Sequence, residues 1–134
     1  MEPRPLQVAA ICLRQRKGQR EVLLVSSLGT GRWVVPKGWP MKGRSLAGAA
    51  LREAWEEAGV RGKVRHEGLG SFFYDKKRRD GFSQRCEVRS FLVETESLAE
   101  RYPEAGRRER VWLAPETAAE RVEEPELQAL LRSL

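Results

Sequence analysis

The sequence predicts a sandwich of helices and a β-sheet, of the α+β or the mixed α/β class. Apolar, β-branched stretches typical of strands recur along the chain, and an alanine- and glutamate-rich segment between them has the composition of a helix. These elements do not alternate strictly, so a purely parallel sheet is not expected. With 134 residues, 40% of them hydrophobic, the chain has the size and apolar content of one domain, which we place at residues 1–134.

The amino-terminal part of the chain predicts three strands. Residues 6–14 and 21–26 are apolar and contain β-branched side chains, and the intervening residues 16–19 include the Lys-Gly pair of a tight turn. Residues 33–35 form a third, short strand. Pro36 ends it, because proline has no N–H to donate within a sheet.

The best-defined helix is expected over residues 46–58, with Ser45 as its N-cap and Gly59 as its carboxyl-terminal stop. A charged turn at residues 76–81 is expected to join two later strands. The later elements are strands at 68–74, 84–94 and 110–113, followed by helices at 115–122 and 125–131, each of which begins at a proline.

Cysteine, histidine and apolar content exclude several classes of protein. Two cysteines cannot build a disulfide framework, and with a single histidine they make no recognisable zinc site or serine–histidine catalytic pair. The apolar runs are far shorter than the ~20 residues of a membrane helix, and the first residues do not resemble a signal peptide. We therefore expect a soluble cytoplasmic protein with no membrane partner, whose chemistry depends on carboxylates, arginines, lysines and metal.

The net charge of +6 is concentrated in two parts of the chain. Residues 1–52 carry ten basic and two acidic side chains, and residues 61–92 carry nine basic and four acidic side chains. This distribution predicts an anionic partner, a polyphosphate or a nucleic acid. The alternative is that an arginine-rich composition only reflects a GC-rich genome.

Three glutamates share one side of the predicted helix. Glu53, Glu56 and Glu57 fall within an arc of ~100°, opposite a packing face formed by Ala47, Leu51, Ala54, Trp55 and Ala58. Like charges at this spacing repel, and a divalent cation would offset the repulsion. Carboxylate oxygens suit Mg²⁺ or Mn²⁺. The simpler alternative is an ordinary solvated helix face.

A basic, glycine-punctuated loop at residues 37–44 precedes the same helix. Free N–H groups at a helix amino terminus favour phosphate oxygens, so cations and carboxylates are expected to converge on one site. Residues 38–45 also come within one residue of the nucleotide-binding loop G-x-x-x-x-G-K-[ST], with Arg44 in the place of the lysine. This alternative is weaker, because Pro40 removes a backbone donor.

The spacing of the glycines and glutamates matches a longer motif, G-x5-E-x7-R-E-U-x-E-E-x-G-U, where U is aliphatic. Gly38 opens the match, and the run Arg52-Glu53-Ala54-Trp55-Glu56-Glu57-Ala58-Gly59-Val60 closes it in register. The chain thus resembles the Nudix hydrolases. Residues 9–14, 21–27, 32–36 and 106–112 further resemble the diphosphoinositol polyphosphate phosphohydrolase branch. Two positions depart from the motif: Ala54 is unusually small, and Arg44 stands where the motif has glutamate.

The resemblance implies a fold, a reaction and a set of site residues. It implies a mixed sheet between helices and Mg²⁺- or Mn²⁺-dependent hydrolysis of a pyrophosphate bond in a nucleoside or inositol polyphosphate. Glu53, Glu56 and Glu57, with the backbone carbonyl of Lys37 or Gly38, would bind the metal. Arg52 would orient the carboxylates and Glu53 would be the general base, with Glu109 as a substitute. The expected phosphate contacts are Arg32, Lys37, Gly38, Lys42, Arg44, Arg78, Arg79 and Arg108, although each one singly is as well explained as a solvated charge.

Two alternatives to this function remain at the level of sequence. In the first alternative, the substrate is the 5′ triphosphate end of an RNA. In the second, the chain is a non-catalytic polyanion-binding module in which Arg44 prevents metal binding. In the catalytic interpretation, Arg44 turns toward substrate phosphates or pairs with Glu53. Either a monomer or a homodimer is compatible with the sequence.

Overall fold

The fold is taken from a computed structural model that describes residues 4–134, so residues 1–3 of the predicted domain lie outside it. Within residues 4–134, eight strands form one sheet and three helices accompany it. The strands are β1 (Leu6–Arg16), β2 (Gln19–Ser26), β3 (Trp33–Val34), β4 (Lys37–Gly38), β5 (Val60–Val64), β6 (Gly70–Lys77), β7 (Ser83–Leu98) and β8 (Arg110–Leu113). The helices are α1 (Leu46–Ala58), α2 (Pro115–Arg121) and α3 (Pro125–Arg132).

The sheet is mixed, as the sequence predicts. β1 and β7 run parallel along Leu6–Leu13 and Glu87–Glu94, and the other strand pairs are antiparallel. The main path runs β3-β2-β1-β7-β5, with β4 paired to β1, β6 to β7 and β8 to β2. The long strands β1 and β7 therefore form the centre of the sheet, and β4 lies beside the amino-terminal part of β1.

Helix α1 has the ends that the sequence predicts. The backbone N–H of Gly48 donates to Ser45 Oγ at 3.0 Å, which caps the first turn. Gly59 ends the helix in the left-handed conformation at φ 69°, a region that glycine enters without steric cost. Alanines line the buried side of the helix, and their small side chains let it pack closely on β1 and β5.

The two faces of the sheet carry separate apolar cores. α1 covers one face, with Val8, Leu23 and Phe91 among the buried side chains. α2 and α3 cover the other, with Ile11, Phe72 and Leu127 in its core. The predicted sandwich of a mixed sheet between helices is thus confirmed. Across residues 4–134, none of the helices has the length and hydropathy needed to span a membrane.

Two strands, β4 and β5, are absent from the predicted elements. β4 has only two residues and exists through its pairing with Val8 and Ala9, which are distant in sequence. β5 contains Arg61, Gly62 and Lys63, which resemble a loop in composition. It is an antiparallel partner of β7 with a register shift at Gly62, where a Cβ would overlap the Glu94 carbonyl oxygen.

Candidate active site

The motif residues meet where β4 leads into the loop before α1. Gly38 ends β4, and a Cβ at this position would overlap the carboxylate of Glu53. The backbone angle of Gly38 is not in the left-handed region. The motif glycine therefore leaves space for the Glu53 carboxylate, which a larger residue would displace from its observed position.

Glu53 and Glu57 lie one turn apart on α1 and are buried, with 9% and 7% of their surface exposed. The Lys37 backbone N–H donates to Glu57 Oε1 at 3.3 Å. Burial raises the pKa of Glu53 to about 7, and the neighbouring charges of Glu56 and Glu104 add to this rise. Burial likewise raises the pKa of Glu57 to about 7, against the opposing charge of Arg108.

This arrangement corrects the predicted division of α1 into a packing face and an opposite face that presents three carboxylates. Glu53 and Glu57 belong to the buried side of the helix, together with Ala54 and Ala58. Trp55, expected in the core, is only half-buried, and the Arg61 guanidinium lies 4.8 Å from its ring centroid. A helical wheel does not reveal that Glu53 is buried, because its burial depends on the space beside Gly38. Gly38 and Glu53 are distant in sequence.

Arg108 is fixed beside the two buried carboxylates. Its Nη2 atom lies 3.7 Å from Glu57 Oε2, and its Nε atom donates to Glu104 Oε1 at 3.0 Å. Its Nη1 atom also donates to the backbone carbonyl of Ser26 at 3.2 Å. The guanidinium, whose side chain is 12% exposed, is thus a local counter-charge held in place by three partners.

Glu104 is a site residue that the sequence did not reveal. It lies in the connection between β7 and β8, outside the motif, and its backbone N–H donates to the Glu56 carbonyl at 3.0 Å. Its charge acts on both Glu53 and Glu57. Glu109, the substitute base named from sequence, is exposed, and its backbone N–H donates to Ser26 Oγ.

The donor set of this site suits a hard divalent cation. Carboxylate oxygens are preferred ligands of Mg²⁺ and Mn²⁺, and two buried carboxyls with raised pKa values gain most from a nearby cation. Glu56 is directed at Arg52, whose Nε donates to Glu56 Oε1 at 2.9 Å. Accordingly, no three acidic, histidine or cysteine side chains within residues 4–134 surround a common point. The Glu56 carboxylate would have to move toward Glu53 and Glu57 to complete a three-carboxylate site.

Lys37 and Arg32 extend the site toward the opposite face of the sheet. The Lys37 Nζ atom lies 4.7 Å from the Tyr74 ring centroid, and burial lowers the pKa of this ammonium. Arg32 Nη1 lies 2.9 Å from the buried Glu124 carboxylate and 3.5 Å from that of Glu123. Its charge is therefore compensated within the protein.

The remaining predicted phosphate contacts are exposed. Arg78 pairs with Asp80 at 3.3 Å in the connection between β6 and β7, and Arg79 is its neighbour. Lys76, at the base of the same hairpin, has its Nζ atom 5.6 Å from the ring centroid of Trp39, the residue after Gly38. The hairpin thus reaches the loop that carries Lys42.

Arg44 does not fulfil the prediction that it pairs with Glu53. Its side chain lines a groove with Arg52, Trp55 and Arg61, on the outer side of α1. The ion pairs of the described residues include none between Arg44 and Glu53. Arg44, which replaces the glutamate of the motif, therefore adds its positive charge to the outer side of α1. The buried carboxylates Glu53 and Glu57 lie on the other side of the helix.

Comparison with known proteins identifies the family. The family model of the NUDIX domain matches residues 3–134. The chain belongs to the NUDIX family, which confirms the resemblance and, at the level of the family, the predicted class of Nudix hydrolase.

Among curated relatives, Nudix hydrolase 4 of Arabidopsis thaliana is 39% identical over 104 residues, 75% of this chain and 46% of that protein. Diphosphoinositol polyphosphate phosphohydrolase 3-beta of Bos taurus is 37% identical over 73 residues, 54% of this chain and 44% of that protein. The matched segments thus span about half the length of these relatives.

Solved structures show the same fold at lower sequence identity. The Ap4A hydrolase of C. elegans superposes with a TM-score of 0.70 and 20% identity, over 97% of this chain and 95% of that one. The NUDIX domain of Shewanella oneidensis NrtR, determined in complex with ADP ribose, gives a TM-score of 0.70 and 18% identity, over 99% and 89% of the two chains.

Proposed function

We propose that this chain is a Mg²⁺- or Mn²⁺-dependent pyrophosphohydrolase that acts on a small nucleoside or inositol polyphosphate. The observation that carries this proposal is the buried pair Glu53 and Glu57, packed against Gly38 and beside the fixed cation Arg108. Relatives named as a diphosphoinositol polyphosphate phosphohydrolase and an Ap4A hydrolase support the substrate class.

The proposed metal ligands are Glu53, Glu56, Glu57 and the backbone carbonyl of Lys37. The cation, when bound, neutralises phosphate oxygens and makes water more acidic. Glu53 accepts the proton of the attacking water, and Arg52 orients Glu56. Glu104 takes the place of Glu109 as the alternative base, because it is the glutamate outside the motif whose charge reaches Glu53.

The proposed phosphate contacts form an inner and an outer group. Lys37, Gly38 and Arg108 lie next to the carboxylates, and Arg32 lies close to Lys37. Lys42, Arg78 and Arg79 are exposed on the loop after β4 and on the facing hairpin, where long polyphosphates would extend. Arg44 is removed from this group because it lines the outer side of α1.

A second candidate substrate is the 5′ end of an RNA. Trp39 and Phe82 are exposed by 49% and 72%, on the loop after β4 and on the basic hairpin, so both rings are available for base stacking. The non-catalytic alternative has no such support, since Arg44 lies away from Glu53 and Glu57.

A substrate panel tests the proposal. A dinucleoside polyphosphate, an inositol pyrophosphate, a nucleoside triphosphate and a 5′-triphosphorylated oligoribonucleotide would each be incubated with the protein and Mg²⁺ or Mn²⁺. Released phosphate or nucleotide is expected from at least one small polyphosphate, and its release should stop in EDTA. Faster cleavage of the RNA would favour the second candidate, and no cleavage of any substrate with either metal would contradict both.

A further inference from the structure

A groove on the outer side of α1 is separate from the buried carboxylates. This outer groove lies between α1 and β5, has a volume of about 430 Å³ and is lined mainly by Arg44, Leu51, Arg52, Trp55, Val60 and Arg61. Such a volume falls within the range of sites for small molecules. The Glu53 and Glu57 side chains lie on the buried side of the same helix.

The charge of the outer groove is positive and incompletely compensated. Of its three guanidinium groups, that of Arg52 is held by Glu56. Neither Arg44 nor Arg61 has an ion-pair partner among the described residues. Arg44 also stands where the motif has glutamate, so this surface has a cation where the family pattern has an anion.

The walls of the outer groove combine these cations with apolar surface. Leu51 and Trp55 provide the accessible apolar part, and the Arg61 guanidinium lies over the Trp55 ring at 4.8 Å. A stacked guanidinium keeps its in-plane N–H groups free for a phosphate. The register shift of β5 between Arg61 and Gly62 interrupts the regular ladder next to this side chain.

We propose that the outer groove is a second, non-catalytic site for a nucleoside polyphosphate. Its phosphates would lie against Arg44 and Arg61, and its base would cover the apolar surface of Leu51 and Trp55. The apolar surface favours a nucleotide over a free phosphate ion, and the two uncompensated arginines favour a nucleotide over a neutral nucleoside. The proposal does not depend on hydrolysis at the carboxylates.

The indole N–H of Trp55 provides a local probe of this site. ATP would be titrated into the ¹⁵N-labelled full chain in EDTA, so that no metal supports hydrolysis, with the Trp55 signal assigned from Trp55→Phe. The Trp55 signal is expected to shift saturably, while that of Trp112, on β8, stays in place. In an Arg44→Gln/Arg61→Gln variant with an otherwise unchanged spectrum, the Kd is expected to rise by about tenfold or more.

An Arg121→Gln/Arg132→Gln variant is the matched control, because it removes two exposed arginines from α2 and α3, across the sheet. It should bind ATP like the natural chain. Pyrophosphate and adenosine, titrated separately, should each bind more weakly than ATP. An unmoved Trp55 signal, an equal loss of affinity in the control, or pyrophosphate or adenosine binding as tightly as ATP would overturn the proposal.

Discussion

The α-carbon of Gly38 lies against the carboxylate of Glu53, and the absence of a side chain at Gly38 lets Glu53 keep this position. The constraint is steric: a methyl group at Gly38 would overlap the carboxylate. The motif glycine and the motif glutamate, 15 positions apart in the chain, are therefore parts of one packing arrangement.

Replacing Gly38 with alanine should accordingly impair catalysis more than folding. The added methyl group displaces Glu53, and misplacement of a catalytic group by about 1 Å can cost on the order of 100-fold in rate. The kcat/KM on the best substrate of the panel would measure the effect. Gly68→Ala is a suitable control, since a Cβ there meets only an ordinary contact with the Ser90 carbonyl. Full activity of Gly38→Ala would show that Glu53 does not need its observed position.

The buried carboxyls also predict how the stability of the metal-free protein varies with pH. The pKa of Glu57 rises from 4.5 to about 7 on folding, and that of Glu53 rises equally. Folding therefore favours the protonated forms, so their stabilisation is complete below about pH 4.5 and is lost as the pH rises through 7. Each pKa unit corresponds to about 1.4 kcal/mol.

Urea unfolding in EDTA at pH 5 and pH 8 would test this prediction. The free energy of unfolding should fall over this interval by an amount on the order of 2 kcal/mol for each of the two carboxyls. Glu57→Gln, which cannot ionise, should show a smaller fall and be more stable than the natural chain at pH 8. Identical pH dependence of the two proteins would contradict the raised pKa of Glu57.

At the scale of elements, α1 has two different sides: the buried side carries Glu53 and Glu57, and the outer side carries Trp55. Trp55 is half-buried on the outer side, so Trp55→Ala should destabilise the protein by about 1 to 2 kcal/mol, below the ~3 to 5 kcal/mol of a fully buried aromatic. Phe72→Ala, in the opposite core and fully buried, should reach that larger range. Thermal or urea unfolding compares the two variants. Equal losses would mean that Trp55 packs as a core residue.

The hairpin formed by β6 and β7 is the element expected to contact the far end of a long substrate. Neutralising Arg78 and Arg79 with glutamine should raise KM more for long polyphosphates than for short ones and should reduce the salt dependence. Arg16→Gln/Arg20→Gln removes two exposed arginines from the hairpin of β1 and β2 and provides the control. A change in KM of the same size for long and short substrates would contradict this prediction and would leave Arg78 and Arg79 as solvated surface charges.

At the scale of the whole molecule, local sequence patterns predict the helices and strands better than they predict how these elements pack against one another. The caps of α1, the turn between β1 and β2 and the two carboxyl-terminal helices follow from residues near each other in the chain, and the structure confirms them. The pairing of β4 with β1 and the burial of Glu53 beside Gly38 depend on residues distant in sequence. A helical wheel therefore misplaces Trp55, Glu53 and Glu57.

The same distinction applies to the site. The motif named Arg52, Glu53, Glu56 and Glu57 because their spacing is fixed within one helix. Glu104 lies in an irregular connection and reaches the site only through the fold, so no sequence spacing could reveal it. Arg44 was assigned to the carboxylates because it is close to them in the motif, whereas its side chain lies on the outer side of α1.

The proposed function requires that the buried carboxylates of α1 support hydrolysis despite Arg44. Metal-dependent turnover of the best substrate, measured side by side for the natural chain, Glu57→Gln and Arg44→Glu, tests it most directly. We expect an active natural chain, a loss of orders of magnitude in Glu57→Gln, and little gain in Arg44→Glu. An inactive natural chain whose activity appears in Arg44→Glu, or undiminished turnover in Glu57→Gln, would contradict the claim.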